Sequence, residues 1–277
     1  MPTTLLKSPA SALTGAHVAV PDPCIGPTTA AFVDASVRSS WPSQAAAFDT
    51  GDLLLDRSYF AHTGAEPALD LVAGASATPG AFDASPAGFE LTSRALTING
   101  TGVEEDDLPE RLQLGGTVKA LAIALTFTVP TGATLSRLVF QSSVGATNLV
   151  GGPLWARYGE AGAGTLEIYS YNLLAASAAC AVNTPHTLIV TLRPWVSGGM
   201  PIVARLDGAV VGKTLGDPTH PEKVVTDAWR VGTASPSHLI VHRLHIACDT
   251  ADAGLDVAQW VEDEENQCAT VHGVTMA

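Results

Sequence analysis

The sequence predicts an all-β sandwich, and three features indicate it. The 277 residues include 26 glycines and 18 prolines, which interrupt the chain too often for long helices and favour short strands joined by turns. Residues Lys119 to Val129 alternate between large apolar and small side chains, and this period of two is typical of a strand. Residues Pro201 to Lys213 form two apolar runs around Asp207-Gly208, a pair that suits a tight hairpin turn.

The segment from Lys119 to Val129 has the most regular strand pattern. One face would carry the large apolar side chains, which are Leu121, Ile123, Leu125, Phe127 and Val129. The other face would carry the small ones, which are Ala120, Ala122, Ala124, Thr126 and Thr128. We expect the first face to enter the core, because alternate side chains of a strand point to opposite sides. The small, uncharged face is expected to lie against a second layer or against another subunit.

Further strands are predicted where short apolar runs lie between turn signals. They are Ser136–Ser142, Thr165–Leu173, His186–Arg193, Pro201–Leu206, Ala209–Lys213 and His238–Ala247. The glycine-rich sequences GGPLWARYGEAGAG and RPWVSGG are predicted to be loops. After the last strand, Asp256 can cap a helix of about two to three turns, with Gln259 at its third position.

Residues 1–47 are predicted to form an extended, proline-rich arm outside the sandwich. They contain six prolines, and only fragments such as Ala31-Phe32-Val33 are able to join a core. Proline fixes φ and removes a hydrogen-bond donor, so such a segment tends to run over a surface. We expect the arm to dock on another chain, and the alternative is a disordered tail. The predicted domains are the arm at 1–47, the sandwich at 48–266 and a C-terminal tail at 267–277.

The charge balance disfavours nucleic acid as a partner. Lysine and arginine number 14 against 27 aspartates and glutamates, which gives a formal net charge of −13 and repels a phosphate backbone. No apolar run reaches the roughly 18 residues that span a bilayer, so we expect no membrane insertion. The first residues lack the uninterrupted apolar stretch of a secretion signal, and none is expected.

Four cysteines are spread along the chain, at Cys24, Cys180, Cys248 and Cys268. They lack the CxxC spacing of a zinc site or a redox pair. This pattern favours buried thiols, since free cysteine commonly behaves as a small buried apolar residue. An even number also permits disulfides, and the sequence does not select a pairing.

Four segments follow one another in an order that is known from one superfamily. They are Leu188–Leu192, the hairpin Leu206–Gly212, Trp229–Gly232, and the closing strand and helix Leu239–Glu265. This order resembles the concanavalin-A-like lectin and glucanase superfamily, particularly the laminin-G-like jelly rolls of many bacteriophage structural proteins. The resemblance covers about residues 48–266. It implies a concanavalin-A-like jelly-roll β-sandwich with an extended N-terminal arm and a short C-terminal helix, but not an activity.

The sequence offers no carboxylate pair for glycan hydrolysis. Glucanases of this superfamily place catalytic carboxylates at alternate positions of one strand, as in ExDxE, and no predicted strand here has that pattern. Glu104–Asp107 and Glu262–Glu265 are runs of consecutive acids. We expect both to be solvated, the first in a loop and the second at a helix end. A calcium site at Glu104–Asp107 is the alternative for the first run.

The sequence does not favour other catalytic or metal-binding sites. On a strand, His238 and His242 would lie about 13 Å apart and His245 would face the other way, which does not suit a metal ion. The GxSxG, HExxH, P-loop and dinucleotide-binding motifs do not occur. Cys180 and His186 are near in sequence, which is weak evidence for a catalytic dyad. We therefore expect no catalytic residue, no metal and no cofactor.

Aromatic side chains in predicted loops are the candidates for ligand binding. Lectins stack a sugar ring on an aromatic face and add a few polar contacts. Trp155 and Tyr158 are the first candidates and Trp195 the next, while Tyr169 and Tyr171 share one face of a predicted strand. The ligand-binding residues predicted are therefore Trp155, Tyr158, Trp195 and Tyr171. The alternative is that each lies in the core or at a subunit interface.

These features predict a non-enzymatic structural protein of a bacteriophage virion. It would be a head decoration or fibre, or a tail or baseplate adhesin, docked on other virion proteins through the arm. We expect a homo-oligomer located in the virion, with a host-surface glycan as its ligand. The alternatives are a free carbohydrate-binding lectin and, third, a glycan hydrolase or lyase with unfamiliar residues.

Overall fold

The fold is known from a computed structural model. It describes residues 22, 24–36, 53–55, 69–73, 77–78, 88–92, 95–100, 110–112, 117–132, 141–142, 154–159, 164–170, 173–194, 196, 199–215, 229–232, 238–251 and 253–277. The described strands form two antiparallel sheets with a helix after the last strand. The predicted all-β sandwich with a C-terminal helix is therefore confirmed.

The first sheet has the strand order β14-β13-β12-β7-β16-β5-β4, and β1 also pairs with β16. Its strands are β1 (Thr29–Asp34), β4 (Ala77–Thr78), β5 (Phe89–Thr92), β7 (Ala120–Thr128), β12 (Pro185–Leu192), β13 (Pro201–Leu206), β14 (Ala209–Leu215) and β16 (His238–Asp249).

The second sheet has the strand order β11-β10-β9-β8-β15-β6-β3-β2. Its strands are β2 (Leu53–Leu55), β3 (Leu69–Ala73), β6 (Ala95–Gly100), β8 (Gln141–Ser142), β9 (Trp155–Tyr158), β10 (Thr165–Ser170), β11 (Leu173–Ala179) and β15 (Trp229–Gly232). A 3-10 turn, Glu110–Leu112, lies between β6 and β7 in the chain.

Strand β7 shows why the alternating sequence specifies the sandwich. Its large side chains, from Leu121 to Phe127, lie in the core shared by both sheets, as does Val129 just after the strand, as predicted. Its small side chains Ala122 and Ala124 pack instead with Ile189, Ala247 and Trp260, a residue of the C-terminal helix. The layer on this face therefore comes from the same chain, because small side chains leave room for a helix against the sheet.

The hairpin between β13 and β14 turns at the predicted pair. Asp207 has φ 50° and Gly208 has φ 84°, which is the left-handed conformation that a two-residue hairpin turn needs. The carboxylate of Asp207 also accepts a hydrogen bond from the backbone N–H of Thr187, at 2.8 Å. The turn is thereby fastened to the start of β12.

Three loop or strand predictions need correction around the second sheet. The glycine-rich segment predicted as a loop contains β9, and the predicted strand Thr165–Leu173 ends at Ser170, since Leu173 opens β11. The run Leu173–Ala179 was not predicted as a strand, because its many alanines show no alternation. Only Gln141 and Ser142 of the predicted strand Ser136–Ser142 lie within the described residues.

The C-terminal helix, α1 (Val257–His272), is longer than predicted. Asp256 caps it as expected, accepting from the N–H groups of Ala258 and Gln259 at 3.1 and 3.2 Å. The helix continues through the acidic run because Glu264 is buried, with 0% exposure, and is not solvated. The predicted tail at 267–277 is wrong, since the helix extends to His272 and the N–H of Ala277 bonds to the carbonyl of Asp207 at 2.7 Å.

The predicted boundary between arm and sandwich at residue 47 is also wrong, because β1 belongs to the first sheet. Phe32 of β1 lies opposite His245 of β16, and all six residues of β1 are buried. Strands β1 and β5 share one edge of β16, whose other edge pairs with β7. The apolar run from Ala30 to Val33 follows the last nearby proline, Pro27, and so can donate to the ladder. Residues 1–21, 23 and 37–47 of the predicted arm lie outside the described residues.

All four cysteines are free and buried, as the sequence favoured. Glu104–Asp107 lies outside the described residues. Among the helices that the structure describes, none combines the length and apolar character needed to cross a membrane.

Candidate functional site

The outer face of strands β9, β10 and β11 brings aromatic and charged side chains together. Ala156 and Tyr158 of β9, and Leu166 and Ile168 of β10, lie in the core. The residues between them in sequence therefore face outward, since side chains alternate along a strand. We call the outward set Trp155, Arg157, Glu167, Tyr169, Leu174 and Ser177 the β9–β11 platform.

An apolar row crosses the three strands of the platform. Tyr169 lies opposite Trp155 on one side and opposite Leu174 on the other. The rings of Trp155 and Tyr169 stack with centroids 4.1 Å apart and planes 7° from parallel. Trp155 is 5% exposed and Leu174 is 48% exposed, with Tyr169 between them partly exposed. The row thus runs from a buried indole to an open aliphatic side chain.

A polar row lies beside the apolar one. Glu167 is opposite both Arg157 and Ser177. The guanidinium of Arg157 donates from Nε to Glu167 Oε2 at 2.6 Å and from Nη2 to the Tyr169 hydroxyl at 2.5 Å. The same guanidinium carbon lies 4.7 Å from the Tyr169 ring centroid and 5.5 Å from that of Trp155. Arg157 therefore connects the two rows, through ion pairing and through a cation–π contact.

The electrostatics of the platform keep the Tyr169 phenol neutral. Burial raises the pKa of Tyr169 above its ordinary value, although the nearby Arg157 acts in the opposite direction. The Tyr169 phenol accordingly keeps its proton at neutral pH and can donate as well as accept a hydrogen bond. Glu167 is the single carboxylate among the six platform residues and is already paired with Arg157. The arrangement suits ligand binding by stacking and hydrogen bonding better than acid–base chemistry.

The structure separates the four ligand-binding residues that the sequence predicted. Trp155 belongs to the platform, but it is only 5% exposed, and Tyr169 stacks on its ring. Tyr158 faces the core, where its hydroxyl accepts a hydrogen bond from the N–H of Gly164 at 3.0 Å. Tyr158 is therefore not a binding residue. Tyr171 and Trp195 lie outside the described residues.

Arg157, Glu167, Leu174 and Ser177 were missed by the sequence prediction. The reason is that β9 was assigned to a loop and β11 was not recognised. If the segment Trp155–Tyr158 is taken as a strand, Trp155 and Arg157 share one face, and Ala156 and Tyr158 share the other. That assignment would have placed Trp155 and Arg157 together on the platform.

A second cluster of titratable side chains lies beneath α1, and we call it the helix-side ionic cluster. Arg243 of β16 donates to both carboxylate oxygens of Glu264, from Nε at 3.0 Å and from Nη2 at 2.8 Å. Its Nη1 donates to Asp34 at 2.9 Å and to Asp22 at 2.6 Å. His245 contacts Glu264, while His272 lies 3.2 Å from Asp34. The cluster joins β1 and the residues just before it to β16 and α1.

The charges of this cluster stabilise its carboxylates in the ionised form. Burial alone would raise the pKa of Asp34, but His272 and Arg243 outweigh it and lower the pKa to about 2. Arg243 and His245 likewise hold the pKa of Glu264 well below its ordinary value, against the effect of burial. Since Arg243, Glu264 and His245 have no exposed side-chain surface, the cluster is a structural feature and not a ligand site.

The three histidines of the last strand have separate partners. His238 lies 2.5 Å from Glu90, and His242 lies 2.9 Å from the Thr128 hydroxyl, whereas His245 belongs to the helix-side ionic cluster. His186 lies 2.6 Å from the carboxylate of Asp207 through Nδ1 and 3.0 Å from the carbonyl of Ala181 through Nε2. With its Nδ1 facing Asp207, His186 ties the hairpin turn to β12. The His186 ring also interacts with the side chain of Cys180.

Comparison with known proteins supports the fold. No protein-family model matches the sequence, and no curated protein matches it. Trypanosoma rangeli sialidase matches in structure with a TM-score of 0.52 and 9% identity, over 89% of this chain and 33% of the sialidase. The receptor-binding domain of botulinum neurotoxin C/D mosaic serotype matches with a TM-score of 0.50 and 8% identity, over 86% of this chain and 51% of that one. The chain thus spans about half the length of the toxin domain and a third of the sialidase. At such identities the likeness concerns the sheet-rich fold.

Proposed function

We propose that this protein is a non-enzymatic, carbohydrate-binding β-sandwich whose ligand surface is the β9–β11 platform. The observation that supports this most is the register of Trp155, Tyr169 and Leu174 in one row, with Arg157 and Glu167 in the next. A saccharide presents apolar C–H faces and hydroxyl edges. A stacked aromatic and aliphatic row beside a charged polar row is complementary to both.

In the proposed complex, the sugar ring lies on the exposed parts of Tyr169 and Leu174. Trp155, which is 5% exposed, holds the Tyr169 ring in place by stacking on it. Arg157 supplies donors for the sugar hydroxyls, and Ser177 can both donate and accept. Glu167 is only 7% exposed and holds Arg157 in place at 2.6 Å, so little side-chain entropy of Arg157 is lost when it meets a ligand.

The experiment is a glycan array probed with the whole chain. Neutral hexose chains and sialylated chains are both required, the latter because the Trypanosoma rangeli structure is a complex with 2,3-difluorosialic acid. Binding to a defined set of glycans is expected. The absence of binding to every glycan would contradict the proposal. An assay for new reducing ends on the bound glycans tests the non-enzymatic part, and we expect no release.

We also propose that the sandwich works as a component of a bacteriophage virion. This part rests on the sequence resemblance described above and on the proline-rich residues that precede β1. Those residues would dock on capsid or tail proteins, in a homo-oligomer that displays the platform to host-surface glycans. Mass spectrometry of purified particles is expected to detect the chain, and particles without it would exclude this role.

A further inference from the structure

An open groove of about 480 Å³ lies between helix α1 and the edge of the first sheet. Its floor is the outer face of β12, β13 and β14, where Thr191, Val203 and Lys213 lie side by side in register. Val257 and Val261 of α1 form the opposite wall. The groove shares no residue with the β9–β11 platform or with the helix-side ionic cluster.

The apolar lining of the groove is aliphatic. Val203, Val257 and Val261 are partly exposed there, and Val210 is 47% exposed. No aromatic side chain occurs among its described lining residues. A sugar ring would therefore find no stacking partner, whereas an aliphatic side chain would find an apolar surface.

Two exposed cations line the same groove. Arg193 and Lys213 have no ion pair within the part of the chain that the structure describes. Arg205, the third cation, is neutralised because its Nε donates to Glu265 at 2.6 Å. In a chain with a net charge of −13, two unpaired cations beside an aliphatic floor are complementary to a partner that is both apolar and acidic.

We propose that this groove binds an extended peptide segment of a partner protein that carries apolar and acidic residues. A volume of about 480 Å³ lies in the range of small-ligand sites, which is roughly 300–1,000 Å³. The groove is open to solvent, so it would cover only part of an occupant. A peptide tolerates this, because its outward groups stay hydrated, whereas a lipid chain would leave apolar surface in water.

The side chains of Arg193 and Lys213 are long enough to extend past the valines that line the groove. In the complex, apolar side chains of the peptide contact Val203, Val210 and Val261, and its carboxylates meet Arg193 and Lys213. Glu262 also lines the groove, is exposed and has no ion pair among the described residues. It therefore opposes an acidic ligand, which makes it useful for a test.

The test uses a fluorescein-labelled peptide of alternating valine and glutamate, about six residues or roughly 20 Å long when extended. Fluorescence anisotropy with the whole chain is expected to show saturable binding. Lys213→Glu and Arg193→Glu should each raise the Kd by at least about tenfold, because each replaces an attraction by a repulsion. Lys119→Glu is the matched control, since Lys119 is exposed and does not line the groove, and it should leave the Kd unchanged.

Glu262→Lys should lower the Kd, a gain of binding that misfolding cannot produce. A valine–lysine peptide of the same length should not bind. The proposal is overturned if the valine–glutamate peptide does not bind saturably, if the lysine peptide binds equally well, or if Lys213→Glu behaves like Lys119→Glu. It is also overturned, in favour of a second copy of this chain, if light scattering shows a dimer that Lys213→Glu dissociates.

Discussion

Glu264 and Arg243 form a two-point ion pair, with N–O distances of 3.0 and 2.8 Å between side chains that have no exposed surface. The pair joins the middle of helix α1 to the last strand. Buried charges are costly unless each is paired and hydrogen-bonded. Here the remaining donor of Arg243 faces Asp34 and Asp22, so the helix is tied into the sandwich.

Glu264→Gln should destabilise the protein by about 3–5 kcal/mol, because it leaves the buried guanidinium without its main counter-charge. Glu265→Gln is the matched control, since Glu265 pairs with Arg205 where both side chains are partly exposed, and should cost about 1 kcal/mol or less. Urea unfolding measures both. If both variants lost the same free energy of unfolding, the buried pair would contribute no more to stability than the partly exposed one.

The helix-side ionic cluster should make the protein sensitive to acid. Asp34 has its pKa lowered to about 2, and the pKa of Glu264 is lowered as well. A lowered pKa stabilises the folded state above the ordinary carboxyl value of about 4. That stability is lost as the pH falls from about 4 toward 2.

Thermal unfolding between neutral pH and about pH 2 measures this effect. Asp34→Asn should be less stable than the natural chain at neutral pH, and its Tm should fall less steeply through the acid window. If the two proteins show the same dependence on pH, the carboxylate of Asp34 does not contribute as we infer.

His186 should confer stability that is lost in alkaline solution. Burial lowers its pKa, but the interactions with Asp207 and with Cys180 together outweigh burial and raise the pKa to about 10. A raised pKa stabilises the folded state fully below the ordinary histidine value of about 6.5, and this contribution disappears as the pH rises to about 10. In NMR titrations, the His186 ring should stay protonated at pH 8. A ring that titrates near pH 6.5 would contradict the account.

Strand β1 makes the N-terminal segment part of the fold. A chain that begins at Asp22 keeps β1 and the carboxylates that face Arg243, and it should unfold cooperatively in urea. A chain that begins at Phe48 lacks both, exposes the edge of β16 and should not fold stably. If the shorter chain kept the same urea midpoint, β1 would be peripheral and the boundary predicted at residue 47 would be supported.

The sequence predicts those elements whose pattern is local. Strand β7 and the Asp207-Gly208 turn were predicted because alternation and turn residues specify them without distant partners. The length of α1 could not be predicted, since Glu264 resembles a solvated acid until Arg243, 21 residues away, is placed opposite it. Strand β1 was obscured by the prolines before it, although its own residues are apolar.

The candidate site shows the same division between local and distant information. Trp155 was identified from its residue type, and its stacking partner Tyr169 was predicted to share one strand face with Tyr171. Their contact depends on the register of β9 against β10, which a single sequence does not contain. Tyr158 was predicted to bind a ligand because its segment was predicted to be a loop, in which side chains do not alternate between two faces. In β9, Tyr158 lies on the face opposite Trp155.

The most direct test of carbohydrate binding is a calorimetric titration of Tyr169→Ala with the glycan that binds the natural chain best. Tyr169 is the centre of the platform, and we expect the variant to bind at least about tenfold more weakly, since loss of an aromatic contact commonly costs that much. Val271→Ala is the control, because Val271 is 38% exposed on α1 and should leave the affinity unchanged. Undiminished binding by Tyr169→Ala would contradict the account.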